Sequence, residues 1–291
     1  AHRFVMNQGD AWTFTLTYLR RLVDELIVVP DDEVDARDDI HKEYAAVAES
    51  IGRRVGEMHL ALAGRGDLPD FAPEPVRPDD LARWATAAAD DGLGVVKALR
   101  SRFDALPPEA QPLAALLMER EAEIADRLAL SRDEATEAGA KIRIHGDLHL
   151  GQILVAQNDV YIVDFEGEPS RPVTERRYKT TPIADLAALL RSFDYAAWTT
   201  ILQMTPGHEP RRGRLERLAL SWRDAMSARM TASYRAAIGR GLAFAQNEMF
   251  DRILHTLSAG RIFTEIGYEL TNRPAWAVIP LSSARNLFSP V

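Results

Sequence analysis

The sequence predicts a mainly α-helical fold that carries one small β-hairpin insertion. Over most of the 291 residues, apolar side chains recur at steps of three and four, which is the spacing of one face of an amphipathic helix. The stretch from Ile40 to Leu62 shows this spacing most clearly. Short apolar runs bounded by turn residues, which are typical of strands, fall between residues 142 and 164.

The predicted elements are separated by loops rich in proline, glycine or acidic residues. Asp10 is a candidate N-cap of the first helix, and residues 4–6 before it look like the end of a strand. The predicted helices span residues 10–29, 40–62, 79–104, 109–138, 183–193, 214–238 and 247–271. The predicted strands span residues 142–144, 153–155 and 160–164, with a turn at Asn158 and Asp159.

Composition and charge exclude several classes of protein. The net charge is −8, and a nucleic-acid partner is not expected because binding phosphate backbones needs a basic face. There is no cysteine, so the chain has neither disulfides nor cysteine-based zinc sites. No apolar run approaches the roughly 20 residues of a membrane span, and no signal peptide is visible at the N-terminus. A cytoplasmic protein without membrane partners is expected.

The chemistry of the chain is concentrated in IHGDLHLGQILVAQNDVYIVDFEGEP, residues 144–169. One hypothesis is a zinc-dependent hydrolase that uses His145 and His149. Histidines four residues apart share a face only on a helix, as in the H-E-x-x-H arrangement. A glycine inside the motif and a strand pattern before it oppose a helix here.

The second hypothesis is phosphoryl transfer, which needs a carboxylate near the attacking hydroxyl and oxygen ligands for Mg²⁺. Asp147 follows a strand, Gln152 offers an amide oxygen, Asp164 ends the apolar run VYIVD, and Glu166 lies two residues further on. Carboxylates beside such apolar runs cost free energy unless they are paired or bound to metal. Asp159 is instead interpreted as an ordinary turn carboxylate that faces water.

These residues resemble a known family. HGDLHLGQIL followed by VDFEGEP is similar to the catalytic loop and metal segment of the aminoglycoside-phosphotransferase-like kinases. RPVTERRYKTTPIADLAALLRSFDYAA, NQGDAWTFTLTYL and YELTNRPAWAVIPL are similar to stretches of the maltokinase branch, which transfers a phosphoryl group from ATP to maltose. The resemblance spans essentially the whole chain and implies a protein-kinase-like C-lobe that uses ATP and Mg²⁺.

The resemblance also implies roles for individual residues. Asp147 becomes the general base toward the sugar hydroxyl, while Gln152, Asp164 and Glu166 become ligands of Mg²⁺ and so of the nucleotide. His145 and His149 orient the loop or face the sugar, and Asp185 either contacts the catalytic loop or caps a helix. The remaining candidates for contacts to sugar hydroxyls are Arg176, Tyr268, Glu269 and Arg273. Trp276 is expected in the core.

Two departures from the family pattern leave alternatives open. Thr264 stands where maltokinases often carry a second tyrosine, so a glucosamine kinase or another small-sugar kinase is the close alternative to a maltokinase. The kinase N-lobe also has no counterpart ahead of the helices. Residues 1–10 are therefore predicted to be an interlobe hinge and residues 11–291 the helical C-lobe, completed by an N-lobe or a fused trehalose synthase domain. The rival interpretation is a non-catalytic binding module.

Overall fold

The computed structural model describes residues 5–30, 33–34, 40–157, 159–169, 171–206, 209–239, 241–242 and 248–288. The α-helices with defined bounds are α1 Ala11–Leu26, α2 Lys42–Ala63, α3 Pro78–Arg102, α4 Gln111–Glu119, α5 Ile124–Arg127, α6 Ile183–Met204, α7 Arg212–Ile238, α8 Glu248–Asn272 and α9 Val278–Ala284. The strands are β1 Glu74–Pro75, β2 Ala140–Lys141, β3 Ile153–Ala156 and β4 Asp159–Ile162. Among these residues, no helix is long and apolar enough to cross a membrane.

The predicted class, mainly α with a small β-hairpin, is confirmed. Strands β3 and β4 form the antiparallel hairpin, in which Ile153 lies opposite Ile162. Strands β1 and β2 form a second, two-residue pair. As predicted, Asp10 caps α1, because its carboxylate accepts the backbone N–H of Thr13 at 2.8 Å.

The single helix predicted over 109–138 is wrong. The chain forms α4 and α5 there, and short 3₁₀ turns surround α5. Leu128 and Leu130 are both buried, and two residues separated by two positions point about 200° apart on an α-helix. The chain must therefore leave the helix after Leu128 to bury both leucines.

The strand predicted over residues 142–144 is also wrong, and so is the strand end predicted over residues 4–6 where the structure describes it. Residues 143–144 are not a strand, and Ile142 makes an isolated bridge to Thr180 instead. Val5 and Met6 are not in a strand, although the residues that follow pair with β3, where the Gln8 N–H donates to the Val155 carbonyl at 2.7 Å. Phe4 and Asn158 lie outside the described residues.

The chain divides into two compact units. Unit 1 comprises Ala1–Ala72, Arg143–Tyr178 and Ala188–Gly241. Unit 2 comprises Pro73–Ile142, Lys179–Ala187 and Leu242–Val291. The HGD and DFEG motifs belong to unit 1.

The core of unit 1 is an aromatic cluster around Tyr44, which is fully buried. The Tyr44 ring lies 5.1 Å from Trp222 and 6.4 Å from Phe193, and both pairs have the edge-to-face geometry that aromatic quadrupoles favour. The Tyr44 and Thr15 hydroxyls share a hydrogen bond of 2.5 Å. Burial raises the pKa of the Tyr44 hydroxyl, so it remains neutral.

Helices α2 and α7 of unit 1 approach each other closely at Gly52. A Cβ placed on this glycine would lie 2.1 Å from the backbone carbonyl oxygen of Met230. One and two turns further along α2, Gly56 continues the close packing and the buried His59 hydrogen-bonds the Tyr234 hydroxyl at 3.0 Å. The close packing of α2 against α7 therefore depends on the absence of a side chain at Gly52.

Unit 2 is built on the packing of α3 against α8. Phe263 of α8 and Ile124 of α5 both close over Gly92, so α3 presents a flat surface to two large apolar side chains. At the C-terminus of α8, Arg102 donates to the carbonyl of Leu270 at 2.7 Å, where helix carbonyls lack intrahelical partners. Unit 2 thereby forms its own hydrophobic core.

The hairpin of unit 1 is braced by an ion pair that the sequence interpretation missed. Asp159 does not simply face water, because Arg54 of α2 donates to both of its carboxylate oxygens, one of them at 2.9 Å. Arg53 adds a longer contact at 3.5 Å. A carboxylate beside a planar guanidinium finds two parallel hydrogen bonds, and α2 brings that guanidinium from more than 100 positions away in the sequence.

This brace predicts a pH-dependent stability. The Arg54 hydrogen bonds hold the pKa of Asp159 at about 2, below its ordinary value. Since the folded pKa is depressed, the stabilisation is complete above pH 4 and is lost as the pH falls toward 2. Arg54→Gln is expected to lower the free energy of unfolding at pH 7 by about 1 kcal/mol, and by less at pH 3. Urea unfolding at both pH values measures this.

The control for the brace is Arg53→Gln, which removes the same charge one residue away and only two contacts of 3.5 Å, to Asp159 and to Glu57. It is expected to leave the free energy of unfolding nearly unchanged at both pH values. Equal losses in the Arg53 and Arg54 variants would show that general charge, and not the bidentate pair, stabilises the hairpin.

Candidate active site

The HGD loop, residues 145–149, is fixed to the strand end before Asp164 by a buried histidine. His145 is 1% exposed, and its Nε2 lies 2.8 Å from the carbonyl oxygen of Val163. Its Nδ1 accepts the N–H of Asp147 at 3.3 Å, so the neutral ring carries its proton on Nε2 and donates it to Val163. The His145 ring also packs 5.0 Å from the ring of Phe165. His145 therefore orients the backbone at Asp147.

Two of the predicted magnesium ligands are in direct contact. The side-chain amide of Gln152 donates to a carboxylate oxygen of Asp164 at 2.9 Å. The backbones meet as well, because the Val163 N–H donates to the Gln152 carbonyl at 2.9 Å. Residues twelve positions apart are thus brought together by the β3–β4 register. Asp164 is exposed and has a φ of 67°, a left-handed conformation that is uncommon outside glycine.

Two glycines let the HGD loop approach the DFEG segment, residues 164–167. Gly146 has a φ of 83° and Gly167 a φ of 74°. A Cβ on Gly146 would lie 3.5 Å from the Cα of Gly167, so a side chain at position 146 would pack directly on the DFEG backbone. This close approach places the residue before Asp147 beside the segment that contains Asp164 and the exposed Glu166.

The turn that presents Gln152 is held by two side-chain acceptors. His149 is exposed, and its Nδ1 accepts the N–H of Gly151 at 3.1 Å. Ser192 of α6 accepts the N–H of Leu150 at 3.2 Å. The sequence analysis assigned no role to Ser192, because a single serine on an apolar helix gives no signal that it contacts a loop 42 positions away.

Arg176, a predicted sugar contact, donates to backbone groups of its own loop. Its guanidinium donates to the carbonyls of Pro169 and Arg171, each at 2.8 Å. Its aliphatic stem lies against Gly167.

The other predicted sugar contacts lie in unit 2 and form a cluster of their own. Glu269 is fully buried and accepts two hydrogen bonds from Arg273, at 2.9 and 2.6 Å. The Arg273 guanidinium lies 5.5 Å from the Tyr268 ring and 4.7 Å from the Trp276 ring. Trp276 is only partly buried, so the expectation of a core tryptophan is wrong. The ion pair with Glu269 therefore fixes the guanidinium of Arg273 beside the Tyr268 and Trp276 rings.

The donor chemistry of unit 1 fits a magnesium ion held jointly with phosphates. Mg²⁺ takes oxygen ligands and is commonly bound by one or two carboxylates together with water and substrate phosphates. Asp164, Gln152 and Glu166 supply such oxygens. Within the part of the chain that the structure describes, no three His, Cys, Asp or Glu side chains converge as a metal site made by protein alone. His145 and His149 do not share a helix face and each uses a ring nitrogen internally, unlike a zincin pair.

This arrangement of an HGD loop against a hairpin-borne carboxylate agrees with the comparison to known families. The sequence model of the phosphotransferase enzyme family, APH, matches residues 26–217, about two thirds of the chain. The chain therefore belongs to the phosphotransferase enzyme family, which confirms the resemblance at the level of the superfamily.

One relative in sequence and two solved structures that resemble the chain are glucosamine kinases. The glucosamine kinase of Streptacidiphilus jiangxiensis is 25% identical over 280 residues, which are 96% of this chain and 55% of that protein. A solved structure of a glucosamine kinase in complex with glucosamine, ADP and inorganic phosphate has a TM-score of 0.71 at 22% identity, over 97% of this chain and 58% of that chain. A second crystal form of a glucosamine kinase gives the same score over 96% of this chain. The chain thus has the predicted kinase-like fold and spans just over half the length of these relatives.

Proposed function

We propose that this chain is the catalytic C-lobe of an ATP- and Mg²⁺-dependent sugar kinase. The observation that carries the proposal is the contact between Gln152 and Asp164 on a segment that packs against the loop of Asp147. Phosphoryl transfer needs a carboxylate at the acceptor hydroxyl and oxygen ligands for the metal at the phosphates. Membership of the phosphotransferase family and the similarity to glucosamine kinases support the same reaction class.

In the proposed mechanism, the Asp147 carboxylate accepts a hydrogen bond from the sugar hydroxyl and takes its proton as the oxygen attacks the γ-phosphorus. The bond between that phosphorus and the β–γ bridging oxygen breaks at the same time, and ADP leaves. Asp164 and Gln152 would hold Mg²⁺, with Glu166 as a further oxygen donor. The bound ion would neutralise charge on the phosphates of ATP. His145 holds the backbone of the HGD loop in place. In this mechanism, most of the rate enhancement arises from positioning of the reactants and from stabilisation of charge.

For the acceptor, we propose a small sugar with maltose and glucosamine as the two candidates. The maltokinase-like segments RSFDYAA and NRPAW favour maltose. The relatives favour glucosamine, and so does Thr264, which is exposed one turn before Tyr268 where maltokinases often have a second tyrosine. Within unit 2, the exposed Tyr268 and Arg273 are proposed sugar contacts, since a planar guanidinium beside aromatic faces suits sugar hydroxyls and ring faces. The fully buried Glu269 is proposed to support them through its ion pair with Arg273. His149 of unit 1 is proposed separately as a residue that faces the sugar.

The proposal also assigns residues 1–10 to an interlobe hinge, with the kinase N-lobe supplied by sequence upstream. The pairing of Gln8 and Gly9 with Val155 supports the hinge, because it ties this segment to the hairpin beside the candidate site. A fused trehalose synthase domain remains part of the maltokinase alternative.

The first test is ³¹P NMR of ATP and Mg²⁺ with maltose or glucosamine. The full gene product and residues 1–291 alone are compared. A new sugar-phosphate resonance with one acceptor is expected from the full gene product. A product from maltose alone would identify a maltokinase, and one from glucosamine alone would identify a glucosamine kinase. A full gene product that consumes no ATP with any small sugar would favour the non-catalytic binding module.

A second prediction tests the proposed metal ligand. Asp164→Ala is expected to weaken Mg-ATP binding on the order of 10- to 100-fold, because the site loses a carboxylate oxygen that replaces water on the ion. Isothermal titration calorimetry of the full gene product with Mg-ATP measures this. Asp24→Ala, an exposed carboxylate on α1, is the control and is expected to bind as the unmodified protein does. Unchanged affinity in the Asp164 variant would remove Asp164 from the metal site.

A further inference from the structure

The segment after Asp164 returns through a loop, described at residues 167–169 and 171–176, that is closed by its own side chains. Glu168 and Arg171 are joined by an ion pair of 3.1 Å and by a backbone hydrogen bond of 3.1 Å. The Arg176 N–H donates to the Pro172 carbonyl at 3.2 Å, which winds the end of the loop into a turn. This turn directs the Arg176 side chain back across the loop.

Arg176 uses its guanidinium and its stem on two different parts of this loop. Its Nε donates to the Arg171 carbonyl and one terminal nitrogen donates to the Pro169 carbonyl, both at 2.8 Å. A Cβ on Gly167 would lie 3.1 Å from Cβ of Arg176 and 3.5 Å from its Cγ and Cδ. The stem therefore packs directly on the buried Gly167, while the planar fork joins two carbonyls that a single-pronged donor could not hold together.

Gly167 also lies close to the HGD loop. The hypothetical Cβ of Gly146 would lie 3.5 Å from the Cα of Gly167, and both glycines have left-handed backbones. Arg176, Gly167 and Gly146 thus form a contiguous stack that ends one residue before Asp147. A shift of Gly167 would change the position of the DFEG segment relative to the HGD loop.

We propose that Arg176 is a positioning residue that holds the DFEG segment against the HGD loop, and that it does not bind the sugar. This inference rests on the proposed kinase function for its kinetic consequences. The contacts of Arg176 with its own loop and with Gly167 do not depend on that function. Two of the five guanidinium N–H donors of Arg176 are bound to backbone carbonyls of its own loop, so this loop, and not a ligand, fixes the orientation of the planar fork.

The kinetic test compares Arg176→Ala, Arg176→Lys and the control Arg177→Ala in the full gene product. Arg177 is the exposed neighbour in the same short turn, so its replacement removes the same charge. Arg176→Ala is expected to lower kcat about 10- to 100-fold and to raise the Mg²⁺ concentration needed for half-maximal rate, as loss of an outer support of a metal site does. The KM for the sugar is expected to stay within about twofold. Arg176→Lys should recover part of the loss, and Arg177→Ala should match the unmodified protein.

Hydrogen–deuterium exchange supplies a measurement that does not need activity. Arg176→Ala is expected to raise amide exchange both in residues 163–168 and in residues 143–152, where the Asp147 and Gly151 amides are hydrogen-bonded. Arg177→Ala should change neither segment.

A raised sugar KM with unchanged kcat would overturn the proposal and make Arg176 a sugar contact. Faster exchange confined to residues 169–178 would also overturn it, because the HGD loop would then be independent of Arg176. If the unmodified protein phosphorylates no sugar, the proposed function fails, while the exchange pattern still decides the role of Arg176.

Discussion

Asp147→Asn is expected to lower kcat about 10³-fold while the Kd for Mg-ATP stays nearly unchanged. Asparagine has almost the same size and shape as aspartate, so the HGD loop keeps its His145 anchor and the backbone N–H of residue 147 still donates to that ring. What is lost is the carboxylate that accepts the proton of the sugar hydroxyl. The effect therefore falls on the chemical step, where the hydroxyl oxygen must become a nucleophile.

Two measurements separate the effect on kcat from the effect on nucleotide affinity. Steady-state kinetics with the sugar found by ³¹P NMR gives kcat, and a nucleotide titration gives the Kd for Mg-ATP. Asp70→Asn neutralises an exposed carboxylate elsewhere in unit 1 and is expected to leave both kcat and nucleotide affinity unchanged. A variant at Asp147 that retained kcat within several-fold would be incompatible with a general base at this position. Equal losses in kcat and in nucleotide affinity would instead indicate that Asp147 belongs to the metal site.

Gly52→Ala is expected to be the most destabilising of the single substitutions considered. The new methyl group would lie 2.1 Å from the Met230 carbonyl oxygen and 3.0 Å from the Tyr234 nitrogen. Both are backbone atoms of α7, so no side-chain rotation relieves the overlap and the two helices must separate. Overpacking typically costs 1–3 kcal/mol, and here we expect about 3 kcal/mol or more in the free energy of unfolding.

The matched control is Gly94→Ala on α3, where a Cβ would meet no atom within 4 Å. Alanine is a better helix former than glycine by about 1 kcal/mol, so this exposed substitution is expected to stabilise the protein slightly. Urea unfolding should therefore show a lower free energy of unfolding for Gly52→Ala and a slightly higher one for Gly94→Ala. A Gly52 variant as stable as the unmodified protein would show that α2 and α7 can separate at little cost.

The sequence predicted the helices best where one face of a single segment decides the outcome. Ile40 to Leu62 repeats its apolar residues with the helical period, and the helix found there, Lys42–Ala63, needs no information from other segments. The prediction over 109–138 failed because Leu128 and Leu130, two positions apart, are both buried, and one face of an α-helix does not bury both. Tertiary burial overrode the propensity of a charged, helix-forming stretch.

The sequence by itself also determined the residue types and the order of the candidate site, since Asp147, Gln152 and Asp164 stand in one motif whose chemistry suits phosphoryl transfer. Only the tertiary structure decided how they meet. The β3–β4 register joined Gln152 to Asp164, and the two left-handed glycines let the HGD loop approach the DFEG segment. The tertiary structure also pairs Asp159 with Arg54, and it directs the guanidinium of Arg176 to backbone carbonyls. The partners Arg54 and Asp159 are 105 positions apart, and such a hydrogen bond leaves no periodic trace in a sequence, because it is selected by the packing of a whole helix and not by any local pattern.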